Sequence, residues 1–467
     1  MFELLIRGAT VVTPTGTRAL EVALQGGKIA ALLLPGTPAE AAETRDARGL
    51  HLLPGAIDIH FHIRAPAYPE RGTVSSETRA AAAGGVTTIF EMPISKPCCA
   101  TPAVVRSRRE LFQREAYVNF ALYGAPGTLQ KDDVRGMVEE GVVGFKIFMT
   151  EAPKGRDDEF VGLCLPDEGG QFEALRLVAE TGKVLVVHAE SNEFLNHFSD
   201  RVKRTGRNDP ETHGESRPPV VEAVAIAKLL TMNRAVGAKV HIAHVSCAAA
   251  ADTLRLYQQG GMDVSGETCP HYLLFTEADL ARVGSYAKIN PPLRQASDQK
   301  ALWEALADGT LSAVTTDHSP FTQAEKERAK TDIWAAPPGA PGVEELLLGM
   351  LDAVDKGRMT LEQAVSLVST NGAKRFGLYP RKGAISPGSD ADLVLVDLAA
   401  ETTIRKETLQ TEARLCDLLY DGMTFRGRVV TTLVGGKVVY DDGVITGQAG
   451  DGRFVRPELD SLEEVRL

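Results

Sequence analysis

The chain is poor in cysteine: six residues in 467 (Cys98, Cys99, Cys164, Cys247, Cys269 and Cys416), with no CxxC pair. Neither a disulfide framework nor a thiolate zinc site is indicated, and reduced, packed thiols are expected. No apolar run approaches the roughly 18 residues that a membrane span needs. The opening MFELLIRGATVV carries Glu3 early and lacks the basic, apolar and small-residue order of a secretion signal, so the cytoplasm is the expected compartment. Basic charge is scarce as well. Lys and Arg total 51 against 62 Asp and Glu, a net charge of −11, and no basic run is long enough to follow a phosphate backbone. Nucleic acid and membrane are thereby set aside as partners, leaving a small molecule. What is present is ordinary globular composition: 43% hydrophobic, 24% charged, 44 Gly and 25 Pro, which excludes collagen and extended disorder.

Between residues 55 and 318, short β-branched apolar runs alternate with longer stretches rich in Ala, Leu, Glu and Arg. Eight such runs are legible: GAIDIHFH (55–62), VTTIFEM (86–92), YVNFALY (117–123), VVGFKIF (142–148), VLVVHAE (184–190), KVHIAHV (239–245), MDVSGET (262–268) and LSAVTTDH (311–318). The pattern predicts an α/β fold, a (β/α)8 TIM-like barrel over 55–387 with its active site where the strands end. The helical spacers agree, since SSETRAAAAGG stops at a Gly pair and EALRLVAETGK at Thr181-Gly182. Residues 1–54 and 388–467 read instead as short strands broken by Gly turns, predicting one small β-sandwich domain built from both chain ends. Three long connections, 150–170, 205–219 and 319–342, are candidate lids.

His60 and His62 lie two apart on the first predicted strand, and a period of two puts both on one face. Alone, an HxH pair is weak evidence for a metal. The case strengthens because His188, His244 and Asp317 each stand at the end of an apolar strand. Lys146 sits among apolar neighbours in VVGFKIF, where a lysine needs either a partner or an outward path to solvent. A buried amine of lowered pKa could instead react with carbon dioxide to give a carbamate. His318 follows Asp317 and by alternation points away from it, a supporting position. His271, just past strand seven, reads equally as a substrate contact or a packing residue, while the helix-like QAEKERAK reads as a solvated face.

Together GAIDIHFH, GVVGFKIF, VHAES, HIAHVS, GETCPHYL, KINPPLR and TTDHSP resemble the binuclear amidohydrolase superfamily, and within it the cyclic amidohydrolases: allantoinase, dihydroorotase and the hydantoinase or dihydropyrimidinase branch. The resemblance spans nearly the whole chain. It implies two divalent metal ions, zinc as the first expectation, although these donors also suit manganese, iron, cobalt or nickel. His60, His62 and Asp317 would hold one, His188 and His244 the other, with carbamate-bearing Lys146 between them. A water activated by both metals would open a cyclic amide or ureide, with Asp317 as general acid and base. Relatives in this group are often dimers or tetramers.

For the ring itself, dihydroorotases read a carboxylate with an Arg after HxH, an Asn after MP and a His after the strand-eight Asp-His. This chain keeps Arg64 but has Ile94 and Phe321 at the other two places, which disfavours dihydroorotate. Hydantoinases carry a Tyr after the bridging Lys where Thr150 stands here. ETRAAAAGGVTTIFEMP, ESRPPVVEAVAI and ETCPHYL look most like allantoinase, which is the first expectation, with Arg64, Asn290 and His271 as substrate contacts. Hydantoinase and dihydroorotase are the alternatives, and a non-catalytic, dihydropyrimidinase-related scaffold protein ranks last because the ligand set is complete.

Overall fold

The computed structural model describes residues 1–457. Eight parallel strands follow one another in chain order around a curled central sheet: β1 (Ala56–Phe61), β2 (Val86–Glu91), β3 (Asn119–Gly124), β4 (Gly144–Phe148), β5 (Val184–His188), β6 (Lys239–Ile242), β7 (Val264–Thr268) and β8 (Ala313–Val314). The ring closes just past β8. There His62 N–H donates to His318 O at 2.8 Å, Phe61 bridges His318, and the Asp58 carboxylate accepts from Thr316 N–H at 3.2 Å and from its hydroxyl. The predicted barrel is the observed architecture, and each of the eight runs supplies one strand.

Every strand is somewhat shorter than its run, and two are much shorter. KVHIAHV leaves the ladder after Ile242, and LSAVTTDH contributes only Ala313–Val314. The cause is local: His244 and Asp317 adopt φ of 37° and 48°, left-handed values incompatible with a regular strand. Ile57, Ile59, Phe90, Tyr123, Val186 and Phe376 form a buried cluster among the strands. The first barrel helix, α1 (Val74–Ala83), is capped by the Thr73 side chain and stops at Gly84. Gly85 then turns at φ 78°, where a Cβ would come within 2.8 Å of Leu347.

Strands from both chain ends form two further sheets. One orders Lys28–Leu33, Glu21–Gln25, Phe2–Arg7 and Ala41–Asp46. The other runs from Val444–Ile445 through Lys437–Asp441, Thr424–Val434, Leu393–Thr403, His51–Pro54 and Thr10–Thr13 to Gly16–Ala19. Leu4, Ile6 and Val22 of the first share a buried cluster with Val11, Leu52 and Leu393 of the second. Residues 458–467 of the predicted C-terminal β segment lie outside the described residues. No helix among the described residues is long and apolar enough to cross a membrane. All six cysteines are unpaired, and all but Cys164 are buried.

The three long connections carry short helical turns, at Asp157–Glu159, Glu211–Glu215 and Gln323–Glu327. The last corrects an expectation, because QAEKERAK is not simply a solvated face. Lys326 is fully buried and donates to Pro337 O at 2.8 Å and Ser285 O at 3.2 Å, while Glu325 grips Arg71 at 2.6 Å. An ammonium can be enclosed where carbonyls accept its protons.

Candidate active site

At the C-terminal rim of the strands, the structure brings together the histidines, the aspartate and the lysine singled out above. Asp317 Oδ1 lies 3.3 Å from His60 Nε2 and 3.1 Å from His62 Nε2. His244 faces His60 with ring centroids 5.2 Å apart, and its Nε2 is 2.9 Å from His188 Nδ1. One ligand-type atom each from His60, His244 and Asp317 falls within 4.8 Å of the others. Lys146 reaches the same region from β4. Its Nζ is 5.2 Å from the centre of the Phe148 ring, which stacks on His188 at 4.5 Å.

The electrostatics are those of a metal-type donor set. Lys146 is 0% exposed, and its amine has no hydrogen-bond partner among the described residues. Burial pushes its pKa down to about 8, against the pull of Glu267 and Asp317. Burial likewise takes His62 to about 3 and depresses His188 and His244, so these imidazoles are neutral and keep a lone pair. The Nδ1 atoms of His62 and His244 also lack partners among the described residues. Burial would raise the Asp317 carboxyl, but His60, His62 and His244 outweigh it and hold the group well below the usual range. Neutral imidazoles, an uncompensated amine and an ionised carboxylate converging in a dry site suit a cation.

Around this centre lies a layer of carboxylates. Glu267 on β7 contacts His60 Nδ1 and lies 3.0 Å from His241 Nε2, whose Nδ1 is 2.7 Å from Ser265 Oγ. Burial opposes ionisation of Glu267, and the two imidazoles, His60 first, overcome it. Glu190 orients His188 at 2.8 Å and is itself paired with Arg217 from the 205–219 connection. These contacts fix which ring nitrogen faces inward. His241, Glu267, Asp58 and Glu190 had drawn no functional reading from the sequence. The available signal was a charged residue on an apolar strand, the argument applied to Lys146. His318 does turn away from the centre, placing Nε2 2.8 Å from Glu77.

The predicted substrate contacts fare differently from one another. His271 is buried beside Tyr272, and its Nε2 has no partner among the described residues. Burial lowers it to about 4, with Asp317 and His60 both within its electrostatic reach. Asn290 is half-buried and its Oδ1 is also without a partner among the described residues. Arg64 is engaged inside the protein: it donates to Ser319 Oγ at 2.6 Å and Pro320 O at 3.2 Å and lies over the Phe321 ring at 4.6 Å. Only its Nε is left over.

Comparison with known proteins agrees with this architecture. Residues 51–439 match the profile of the amidohydrolase family. The chain is 34% identical over 459 residues to an L-hydantoinase of Paenarthrobacter aurescens, covering 97% of this chain and 98% of that protein. It is 36% identical over 458 residues to an allantoinase of Deinococcus radiodurans, covering 97% and 99%. The solved structure of L-hydantoinase (dihydropyrimidinase) from Arthrobacter aurescens superposes with a TM-score of 0.93 at 33% identity, covering 98% of this chain and all of that one.

Proposed function

Because the chain belongs to the amidohydrolase family, we propose that it hydrolyses a C–N bond in a cyclic amide or ureide, with allantoin as its substrate. The observation that carries this reading is the uncompensated amine of Lys146, enclosed beside His60, His62, His188 and His244 and an ionised aspartate. The donor set fits two divalent cations, zinc first. His60, His62 and Asp317 would hold one, His188 and His244 the other, and Lys146, as its carbamate, both. When bound, such cations polarise an amide carbonyl and bring the pKa of a water to about 7.

The chain's own residues supply the rest. A lysine held near pKa 8 keeps a share of free amine at neutral pH, which carbamate formation from carbon dioxide requires. Asp317, kept ionised by its histidines, accepts a proton from the attacking water and passes it to the leaving ring nitrogen. His271 Nε2 and Asn290 Oδ1 are free to meet ring N–H and C=O groups. Arg64 is already committed to Ser319, Pro320 and Phe321, so a substrate carboxylate would have to displace those contacts, which argues against dihydroorotate. Hydantoin is the second reading, favoured by the likeness to the L-hydantoinase structure.

The test is a substrate panel of allantoin, hydantoin, dihydrouracil and dihydroorotate, run with zinc and bicarbonate and again after exhaustive chelation. Allantoin should give the highest kcat/KM, and chelation should abolish turnover until metal is restored. Preference for hydantoin would replace the substrate, whereas turnover surviving full metal removal would sink the mechanism.

A further inference from the structure

Asp317 is held in a left-handed conformation, φ 48°, that is strained for a non-glycine residue and persists only where its neighbours over-determine it. Its two neighbours are anchored by separate sets of partners. Thr316 is bonded through both N–H and hydroxyl to Asp58 on β1. His318 is anchored by a second network, buried except at Glu412.

Its Nδ1 accepts from Gly342 N–H at 3.2 Å, so the ring proton resides on Nε2 and is donated to Glu77 Oε2 at 2.8 Å. Its ring stacks on Phe61 at 4.6 Å, and its carbonyl accepts His62 N–H. Glu77 lies in the first turn of α1 and is fully buried. Three further donors fix its carboxylate: Ser76 Oγ at 2.8 Å, Thr411 Oγ at 2.6 Å and Glu412 N–H at 3.0 Å. Two of these come from the segment after Leu393–Thr403, outside the run of barrel strands.

We propose that Glu77, together with Thr411 and Glu412, is a positioning device for Asp317, acting through His318. The carboxylate fixes the His318 tautomer and ring plane. That fixes the backbone on the C-terminal side of Asp317 and, through His318 O, the backbone of His62. A segment remote in sequence thus sets the aim of the group that moves the proton. The inference rests on the role given to Asp317 above.

Four variants test it: Glu77→Gln, Thr411→Val, Thr411→Ser and, as reference, Asp317→Asn. Glu77→Gln should lower kcat by about 10- to 100-fold, the usual cost of losing such an outer partner, with KM changed less than about twofold. Thr411→Val should show the same split more weakly, and Thr411→Ser, which keeps the hydroxyl, should restore kcat. The cobalt(II)-loaded protein gives a readout independent of turnover: its visible absorption should differ between Glu77→Gln and the parent. If Glu77→Gln does not fold, the Thr411 pair carries the test. Parent-like kcat and cobalt spectrum in Glu77→Gln, or in Thr411→Val where only that variant folds, would overturn the positioning role alone, provided Asp317→Asn is inactive. A fully active Asp317→Asn would overturn the Asp317 assignment and this inference with it.

Discussion

The two ends of the barrel each enclose a polar cluster, and they are built on opposite principles. At the N-terminal end, Asp392 accepts from Asn119 Nδ2 at 3.0 Å and Gly435 N–H at 2.8 Å and pairs with Lys382, while Asn119 Oδ1 accepts from Arg453 N–H. Every polar side-chain atom there has a partner. At the C-terminal end, Lys146 Nζ and the Nδ1 atoms of His62 and His244 are equally buried and have none among the described residues. A saturated cluster joins one part of the fold to another. An unsaturated one, whose surroundings are otherwise well bonded, has the chemistry of a ligand site, because leaving a buried polar group unpaired costs about 1–3 kcal/mol.

The sharpest way to break this contrast is to remove the uncompensated amine. Lys146→Ala should lose the metal pair and reduce turnover by about three orders of magnitude or more, since Lewis-acid assistance is worth several kcal/mol. A small carboxylic acid should recover part of it. Metal analysis beside the assay checks both, and full metal content with full activity would remove the bridging role. Smaller effects belong to the layer that orients the donors: Glu267→Gln should weaken metal binding by about 10- to 100-fold, measured by competition with a chelator of known affinity. At the saturated end, Asp392→Ala should cost about 1–3 kcal/mol of stability by leaving Asn119 Nδ2 and Gly435 N–H without their acceptor, while Lys382 keeps Asp390 at 3.0 Å. Its denaturant midpoint should fall while kcat of the folded enzyme stays at the parent value; altered kcat there would show that the two ends are not independent.

Much of this was legible in the sequence because it depends on periodicity. Eight apolar runs separated by helical spacers specify the barrel, and side chains at strand ends specify where His60, His188, His244 and Asp317 converge. Lys146 stood out because an apolar strand does not accommodate an ammonium without cause. The same reasoning applies to Asp58 in AIDIH and Glu267 in VSGET, yet their partners come from strands distant in sequence, and no local pattern names them. Glu77 was harder still. Within SSETRAAAA it reads as an ordinary first-turn helix residue, and only the fold reveals His318 above it and Thr411 beside it. The buried Lys326 misled for a related reason: a charge-rich stretch signals solvent unless carbonyls from elsewhere close over it.

The strand pairing of the outer sheet also dictates an order of assembly. His51–Pro54 pairs on one edge with Thr10–Thr13 and on the other with Leu393–Val396, so a strand made before the barrel finds its second partner only after the whole barrel has been made. At synthesis rates of about 5–20 residues per second, that delay is on the order of tens of seconds. Throughout it, the early strand presents an open hydrogen-bonding edge, the kind of surface to which other nascent chains can add. A ribosome that stops after the last barrel helix would therefore release a chain with a nearly finished catalytic rim and an unfinished, adhesive flank.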